Sequence, residues 1–348
     1  MLLGFLLASS LSIFYLCMLL CSIPLSAATV LGRDTLPSLS FEDGYIQLFG
    51  DNNLMLLKDG KSVLISLDQK TGSGFASQDL YLHGFFSASI KLPSDYAAGV
   101  VVAFYLSNGD VFEKTHDELD FEFLGNVRGK EWRLQTNMYG NGSTSIGREE
   151  RYQLWFDPTE DFHHYSFLWT QNLIIFFIDD IPIRKVTRNE TIAGHFPSKP
   201  MSLYATIWDG SSWATSGGRY KVNYKYAPYV AELTDLILHG CSMDPIEHSS
   251  TCHSSDARLY NNATLSTDEL SSMENFRNKH MVYSYCYDQD RYLHHLTPPP
   301  ECQIDSNATK RACGSCGVKL KHNRGPRNRK RNRSHHRAGA AHSKSFVI

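Results

Sequence analysis

Three carboxylates at every second position, Glu118, Asp120 and Glu122, are the residues of this chain best suited to chemistry. Apolar residues separate them, and this period of two predicts a β-strand with the three acids on one face. Asp and Glu are disfavoured in strands, and like charges side by side repel one another. A strand that accepts three carboxylates on one face is therefore expected to use them. The alternative is a strand face that is acidic without a function.

The spacing of the two glutamates fits one class of reaction. Glu118 and Glu122 are four residues apart, which is about 13 Å in a strand at roughly 3.3 Å per residue. Two glutamate side chains that lean towards each other close about 7–8 Å of this distance and leave about 5–6 Å. Retaining glycosidases hold their two carboxyl groups about 5–5.5 Å apart, whereas inverting enzymes need a wider gap for a water molecule. The pair therefore predicts a retaining glycosidase.

Many short strands must position these acids. Alternating apolar residues predict strands at 63–67 and 86–92, and the apolar runs 100–106 and 174–178 suit strands that are covered on both sides. Turn signals recur at Asp43-Gly44, Asp59-Gly60, Asn108-Gly109 and Asn141-Gly142. These features predict an all-β fold over residues 28–240, a jelly-roll sandwich of the concanavalin-like kind.

The chain begins with an apolar segment. No charged residue precedes Arg33, and small residues end the stretch near Ala27, as a signal peptidase site requires. Residues 1–27 are therefore predicted to be a signal peptide, and the protein is predicted to be secreted; a signal anchor is the alternative. No later segment approaches the roughly 18 apolar residues of a membrane helix, so the mature chain is expected to be soluble.

The cysteines that remain after cleavage lie in the last third of the chain. They are Cys241, Cys252, Cys286, Cys302, Cys313 and Cys316. An even, clustered set in a secreted chain predicts disulfides, although six cysteines allow 15 pairings. A metal site at Cys313, Cys316 and His322 is the alternative, but it lacks a second well-spaced ligand pair, so no metal is predicted. Residues 241–318 are expected to form a disulfide-bonded extension with one helix near 266–278, capped by Ser266 or Thr267.

The surface is predicted to be glycosylated, and its charge is uneven. Glycosylation sequons occur at Asn141, Asn189, Asn262, Asn307 and Asn332. Residues 319–348 contain ten Lys and Arg and no acid, which leaves 24 basic against 36 acidic residues in the rest of the chain. This tail is predicted to be disordered. In a secreted chain its natural partners are acidic polysaccharides or a membrane surface rather than nucleic acid. A merely solvated tail is the alternative.

With these residues in view, the chain resembles the plant xyloglucan endotransglucosylase/hydrolases of glycoside hydrolase family sixteen over about residues 36–305. The segments that carry the resemblance are the acidic strand, Gly84-Phe85-Phe86-Ser87-Ala88, residues 99–108, Gln135-Thr136-Asn137, Leu154-Trp155-Phe156-Asp157-Pro158, Trp213-Ala214-Thr215 and Tyr285-Cys286 to Pro300-Glu301-Cys302. The basic tail resembles that of a tailed subgroup.

The resemblance implies separate roles for the three acids. Glu118 would be the nucleophile that takes the glucosyl unit, and Glu122 would be the acid that protonates the departing glycosidic oxygen. Asp120 would be hydrogen-bonded to Glu118 and would tune its charge. An acid must hold its proton near neutral pH while its neighbour stays ionised, and clustered carboxylates raise one another's pKa values and titrate as a set.

The resemblance also implies a sugar-binding set. Its members are Gln135, Asn137, Arg148, Glu149, Trp208, Trp213, Gly217 and Arg291. The two tryptophans would stack on sugar rings, Gly217 would allow close backbone approach, and Arg291 would reach in from the extension. The alternatives are core packing for the tryptophans and a surface ion pair for Arg291.

By the same analogy Cys241 would pair with Cys252, and Cys286 with Cys302. Cys313 and Cys316 would then pair together or remain unexplained.

The function that the resemblance implies is a monomeric enzyme of the cell wall and apoplast that needs no cofactor. It would cut the β-1,4-glucan backbone of a xyloglucan donor with retention and transfer the fragment to a xyloglucan acceptor. Water as acceptor would give hydrolysis instead. The alternatives are a hydrolytic β-glucanase of other linkage preference and a wall-binding lectin without turnover, against which the complete set of acids argues.

Overall fold

Fifteen strands form two antiparallel sheets in the part of the chain that the computed structural model describes, residues 35–243, 263–292 and 297–302. The strands are β1 (Tyr45–Phe49), β2 (Leu54–Leu57), β3 (Ser62–Leu67), β4 (Ser73–Ser77), β5 (Tyr81–Lys91), β6 (Val100–Ser107), β7 (Glu118–Leu124), β8 (Arg133–Tyr139), β9 (Glu150–Gln153), β10 (His163–Trp169), β11 (Leu173–Ile178), β12 (Ile181–Thr187), β13 (Ser202–Asp209), β14 (Tyr229–Ser242) and β15 (Met281–Ser284). The helices are α1 (Phe41–Gly44), α2 (Thr267–His280) and α3 (Gln289–Tyr292), with 3-10 turns at Ala193–His195, Tyr224–Tyr226, Tyr285–Tyr287 and Pro300–Cys302. The predicted jelly-roll sandwich is confirmed.

The acidic strand β7 lies inside the larger sheet. That eight-stranded sheet has the order β1-β4-β13-β6-β7-β8-β9-β15, and the seven-stranded sheet has the order β12-β11-β10-β5-β14-β3-β2. Strand β7 is hydrogen-bonded to β6 on one side and to β8 on the other. The backbone around the acids is therefore held from both sides.

The core between the sheets determines which way the acids point. Leu119, Phe121 and Phe123 of β7 are fully buried. The ring of Phe121 packs against Phe167 and Phe176 of the other sheet, with centroids 4.7 and 5.3 Å away. Burial of one such side chain contributes about 1.5–3 kcal/mol. Because neighbouring strand residues point to opposite faces, the acids must lie on the outer face.

A second, smaller core covers the outer side of the seven-stranded sheet. Phe85 and Ile175 of this sheet belong to a cluster that Leu270 and Met273 of α2 complete. Strand β11 is consequently buried on both faces, as its continuous apolar run predicts. The predicted helix is confirmed, with Ser266 as its cap in a reciprocal capping box.

The C-terminal extension contributes strand residues to both sheets. Strand β14 continues past residue 240 to Ser242, and β15 pairs with β9 to form the last strand of the eight-stranded sheet. The disulfide between Cys286 and Cys302 is present as expected. Cys241 is also disulfide-bonded. Its expected partner Cys252 lies outside the described residues, as do Cys313 and Cys316.

The turn predictions had mixed outcomes. Asp59 and Gly60 form the β2–β3 hairpin turn with φ values of 55° and 79°. Asp43-Gly44, in contrast, ends the short helix α1, so the prediction of a turn between strands was wrong there. The physical reason is Phe41, which is buried against Phe75 and draws this segment into the core as one helical turn.

Several other predictions fall outside the described residues. These are the signal peptide at 1–27, the basic tail at 319–348 and the sequons at Asn262, Asn307 and Asn332. Asn141 and Asn189 are both exposed, and their glycosylation stays a prediction. Among the described helices, none has the length and apolar character that crossing a membrane requires.

Candidate active site

Glu118 is held as a hydrogen-bond acceptor. The hydroxyl of Ser107, its partner across β6, donates to Oε2 of Glu118 at 2.9 Å, and the carboxyl of Asp120 donates to Glu118 as well. Burial raises the pKa of Glu118 to about 7, and the charge of Glu122 adds to this, whereas the two donors oppose it. Both donors favour the charged form of Glu118, which is the form that can attack a sugar carbon.

Asp120 is the acid that keeps its proton. Its side chain is 6% exposed, between the two glutamates on the same face. Burial first, and then the negative charges of Glu118 and Glu122, raise its pKa well above the usual value. A protonated Asp120 can donate to Glu118, as the predicted tuning role requires.

Glu122 has the properties of a general acid. Burial raises its pKa to about 7, and the charge of Glu149 also raises it. The amide of Gln135 and the charge of Arg151 act in the opposite direction. A carboxyl with a pKa near 7 can hold a proton at neutral pH and still release it, as acid catalysis requires. Glu118 and Glu122 thus both have pKa values near 7, so one can be ionised while the other holds a proton, as a retaining glycosidase requires.

The start of β7 is anchored by the residue before the acids. Asp117 is fully buried, and its carboxylate accepts hydrogen bonds from the backbone N–H groups of Asn141, Ser198 and Lys199. The ammonium of Lys199 lies 2.8 Å from the same carboxylate. These contacts fix the position from which Glu118 extends.

Gln135 and Asn137 lie beside the acids, as predicted. They pair in register with Glu122 and Asp120, and both are nearly buried. Gln135 donates from Nε2 to Oε2 of Glu122. The side-chain oxygen of Asn137 accepts from the backbone N–H of Arg148 at 2.9 Å, so Asn137 also holds the following loop.

The loop after β8 brings Glu149 and Arg291 together and turns Arg148 inward. Arg148 is 2% exposed, and its guanidinium donates to Glu301 at 2.6 Å. Arg148 therefore links the sandwich to the extension. Because it is buried, the structure does not support its predicted contact with sugar. Glu149 accepts from Arg291 of α3 at 2.7 Å, and both side chains are partly exposed. Arg291 therefore forms an ion pair, and its partner Glu149 is close enough to Glu122 to affect the pKa of that acid.

The two tryptophans form a partly exposed aromatic pair. The ring centroids of Trp208 and Trp213 are 6.0 Å apart with an angle of 43° between the planes. Trp208 is opposite Val101, which is opposite Leu124 of β7, so Trp208 lies on the acid face. Gly217 is exposed, with φ +66°, and no atom beyond its chain neighbours lies within 4 Å of the position that a Cβ would occupy. A sugar chain can approach this backbone closely.

Two tyrosines on the acid face were missed from the sequence. Tyr105 pairs with Asp120 on one side and with Tyr204 on the other, and the tyrosine rings stack at 4.9 Å. Ser107, the donor to Glu118, lies on the same strand. The segment 100–106 was interpreted as a uniform apolar run, and that interpretation concealed its alternation. The odd-numbered residues of β6, among them Tyr105 and Ser107, could be assigned to the acid face only once β6 was known to pair with β7.

Buried ion pairs join the extension to this sheet. Glu150 is 6% exposed, and Arg277 of α2 reaches its carboxylate at 2.6 and 2.8 Å. Arg184, from the seven-stranded sheet, approaches it at 3.5 Å. Although burial alone would raise the pKa of Glu150, the two arginines lower it to about 2. The carboxylate is thus compensated by charges from the extension and from the facing sheet.

Comparisons with known proteins agree with this geometry. Residues 41–226 match the family described as glycosyl hydrolases family 16, and residues 253–302 match the family described as xyloglucan endo-transglycosylase C-terminus. Two Arabidopsis thaliana proteins, named probable xyloglucan endotransglucosylase/hydrolase proteins 28 and 27, are each 62% identical over 277 residues, which cover 79% of this chain and 82% of each protein.

Two solved structures are among those similar to this chain. A prokaryotic β-1,3-1,4-glucanase (lichenase) derived from a mouse hindgut metagenome is 25% identical with a TM-score of 0.47, over 58% of this chain and 97% of that one. The Crh5 transglycosylase in complex with NAG is 22% identical with a TM-score of 0.47, over 64% of this chain and 92% of that one.

Proposed function

Because the chain belongs to glycoside hydrolase family 16 and within it to the xyloglucan endotransglucosylase/hydrolases, we propose that it cuts and rejoins xyloglucan with retention of configuration. The observation that carries the proposal is the single row of acids on β7, in which Glu118 and Glu122 both have pKa values near 7, so that one can be ionised while the other carries a proton. A binding protein would not need two neighbouring glutamates with pKa values near 7.

In the first step Glu118 attacks the anomeric carbon of a backbone glucosyl unit, and the β-1,4 glycosidic bond breaks. Glu122 gives its proton to the departing oxygen, so the leaving chain is released as a neutral alcohol. The product is a covalent glycosyl-enzyme on Glu118. Asp120, as hydrogen-bond donor to Glu118, favours its ionised form before attack and its departure afterwards.

In the second step Glu122 is ionised and acts as base. It takes the proton of a hydroxyl at the non-reducing end of a second xyloglucan chain, whose oxygen attacks the anomeric carbon and displaces Glu118. The two inversions give net retention. A water molecule in the same position gives hydrolysis, as a side reaction whose share depends on how well water is excluded.

The compartment and partners belong to the same proposal. The N-terminal segment, the disulfide Cys286–Cys302 and the sequons support secretion, since disulfides persist in oxidising compartments. The enzyme acts as a monomer in the cell wall and apoplast, and its basic tail binds acidic wall polysaccharide. Deleting residues 319–348 is expected to weaken retention on pectin at low salt and to change little at high salt. Equal, salt-insensitive retention of both forms would refute the tail's role.

The decisive assay supplies xyloglucan together with a fluorescent xyloglucan oligosaccharide. Label that moves into polymer demonstrates transfer, whereas new reducing ends without such movement would make the enzyme a hydrolase. A parallel reaction with mixed-linkage β-glucan tests for another glucanase specificity. Glu118→Gln is the control: turnover is expected to disappear while xyloglucan binding remains. Turnover by this variant would refute the assignment of Glu118.

A further inference from the structure

One row of side chains crosses four neighbouring strands of the catalytic sheet. Glu122 of β7 pairs with Gln135 of β8, Gln135 pairs with Arg151 of β9, and Arg151 pairs with Tyr283 of β15. Directly opposite residues of a sheet point to the same face, so all four lie on the acid face. The last member belongs to the C-terminal extension.

The four side chains are linked by direct contacts. Arg151 donates from Nε to the amide oxygen of Gln135 at 2.6 Å. Gln135 is 4% exposed and donates from Nε2 to Oε2 of Glu122. The guanidinium carbon of Arg151 lies 4.8 Å from the ring centroid of Tyr283, within the range of a cation–π contact. The hydroxyl of Tyr283 donates to Asp288 at 2.8 Å, which fixes the ring.

The direction of these hydrogen bonds follows from what each group can do. A guanidinium only donates, so it can meet only the oxygen of the Gln135 amide. The NH₂ group of the amide must then face Glu122, and the facing oxygen, Oε2, must accept. A carbonyl-type oxygen accepts better than a hydroxyl oxygen, so this contact favours the proton of Glu122 on Oε1 rather than on Oε2.

We propose that Arg151 is a positioning residue for Glu122: it fixes the orientation of the Gln135 amide and thereby assigns the transferable proton to Oε1. The inference rests on the proposed function, in which Glu122 is the acid and base. Without Arg151 the amide can turn over and present its oxygen to Glu122. The proton of Glu122 would then lie on Oε2 and be donated to the amide oxygen of Gln135. In that position it would point away from the substrate.

The charge of Arg151 also affects Glu122, because it lowers the pKa of this acid. Burial raises the pKa of Glu122, Gln135 and Arg151 lower it, and Glu149 raises it. The other titratable or charged groups on the strands and helices around this position are Glu118, Asp120, Tyr105, Arg133, Tyr139, Tyr283 and Arg291. Arg133 is paired with Glu131. Arg291 is paired with Glu149, which leaves Arg151 as the cation that acts on Glu122 through the amide. Its removal is expected to raise the pKa of Glu122 by about one pH unit.

The test compares three variants. Arg151→Met removes the charge and the donors but keeps an unbranched stem, Arg151→Lys restores a charge and a donor, and Arg133→Met is the matched control. Arg133 lies two residues from Gln135 on the same face of β8 and pairs with Glu131 instead. The pKa of Glu122 is measured by carboxyl ¹³C NMR, with assignment by Glu122→Gln, and kcat/KM for xyloglucan is measured against pH.

The expected result is specific to Arg151. In Arg151→Met the plateau of kcat/KM is expected to fall, because the proton of Glu122 no longer points to the substrate. The pKa of Glu122 and the alkaline limb of kcat/KM both move up by about one pH unit, so the ratio of variant to native kcat/KM rises up to about tenfold from the plateau to the end of this limb. Arg151→Lys is expected to recover at least half of the shift, and Arg133→Met to show none. An unchanged pKa in Arg151→Met, or an equal shift in Arg133→Met, would overturn the inference. A shifted pKa in a protein that does not turn over xyloglucan would instead refute the proposed function.

Discussion

Glu118→Gln is expected to stabilise the fold near neutral pH while it abolishes turnover. The native fold raises the pKa of Glu118 from 4.5 to about 7, chiefly by burial. The native state therefore holds this proton more tightly than the unfolded chain does. The stability from this group is complete below about pH 4.5 and is lost as the pH rises through about 7. Glutamine cannot ionise and carries no such loss.

The size of the effect follows from this difference. A gap of about 2.5 pH units corresponds to about 3.4 kcal/mol at about 1.36 kcal/mol per unit. The Glu118 side chain is 23% exposed, so solvent screens part of this energy, and about 2 kcal/mol is a better expectation. The glutamine introduced at this position keeps an oxygen that can accept from Ser107, so the hydrogen bond need not be lost. For a domain of this size the melting temperature should rise by about 4–8 °C at pH 7.5.

The assay is thermal and urea unfolding of the native protein and the variant at pH 4 and pH 7.5. Glu160→Gln, at an exposed glutamate, is the control for removal of one negative charge. The gain should be seen at pH 7.5 and should nearly vanish at pH 4. An equal gain at both pH values, or a loss of stability at pH 7.5, would contradict the argument that burial of a charged carboxylate weakens the fold.

Three further variants test other parts of the structure. Arg277→Met leaves the buried carboxylate of Glu150 short of its main partner and should lower the free energy of unfolding by about 3–5 kcal/mol in urea titrations; a loss below about 1 kcal/mol would contradict the burial of this pair. Cys286→Ser opens the disulfide to Cys302, which spans 16 residues, and should cost about 3 kcal/mol under oxidising conditions; equal stability of variant and native protein would refute this. Trp208→Ala should raise KM for xyloglucan roughly tenfold, about 1.4 kcal/mol of stacking, with kcat little changed; an unchanged KM would leave Trp208 a packing residue.

The elements that local sequence determines were predictable. The acids of β7 alternate with apolar residues, and the box at Ser266 marks the start of α2. Both signals come from residues that are close together in the chain. The predicted positions of Gln135 and Asn137 came from resemblance, and the strand register agrees with them.

Contacts between distant segments could not be predicted in this way. The pairing of β15 with β9 joins residues more than 120 positions apart, and neither short strand has a distinctive pattern. Arg148 was expected to contact sugar because of the family resemblance, but the structure buries it against Glu301, a residue 153 positions later in the chain. Arg151 could not be identified from the sequence, because its role depends on the strand register that places it opposite Gln135.

The late position of β15 in the chain has a consequence for biosynthesis. Strand β9 ends at Gln153 and its partner begins at Met281, 128 residues later. At about 5–20 residues per second, roughly 6–25 s of translation pass before β15 has been made. Until then β9 is an unpaired sheet edge, the kind of surface that recruits strands from other nascent chains. The row of side chains from Glu122 to Tyr283 also lacks its last member during this interval. A chain released early from the ribosome would therefore carry the three acids of β7 but not β15, whose Tyr283 contacts Arg151.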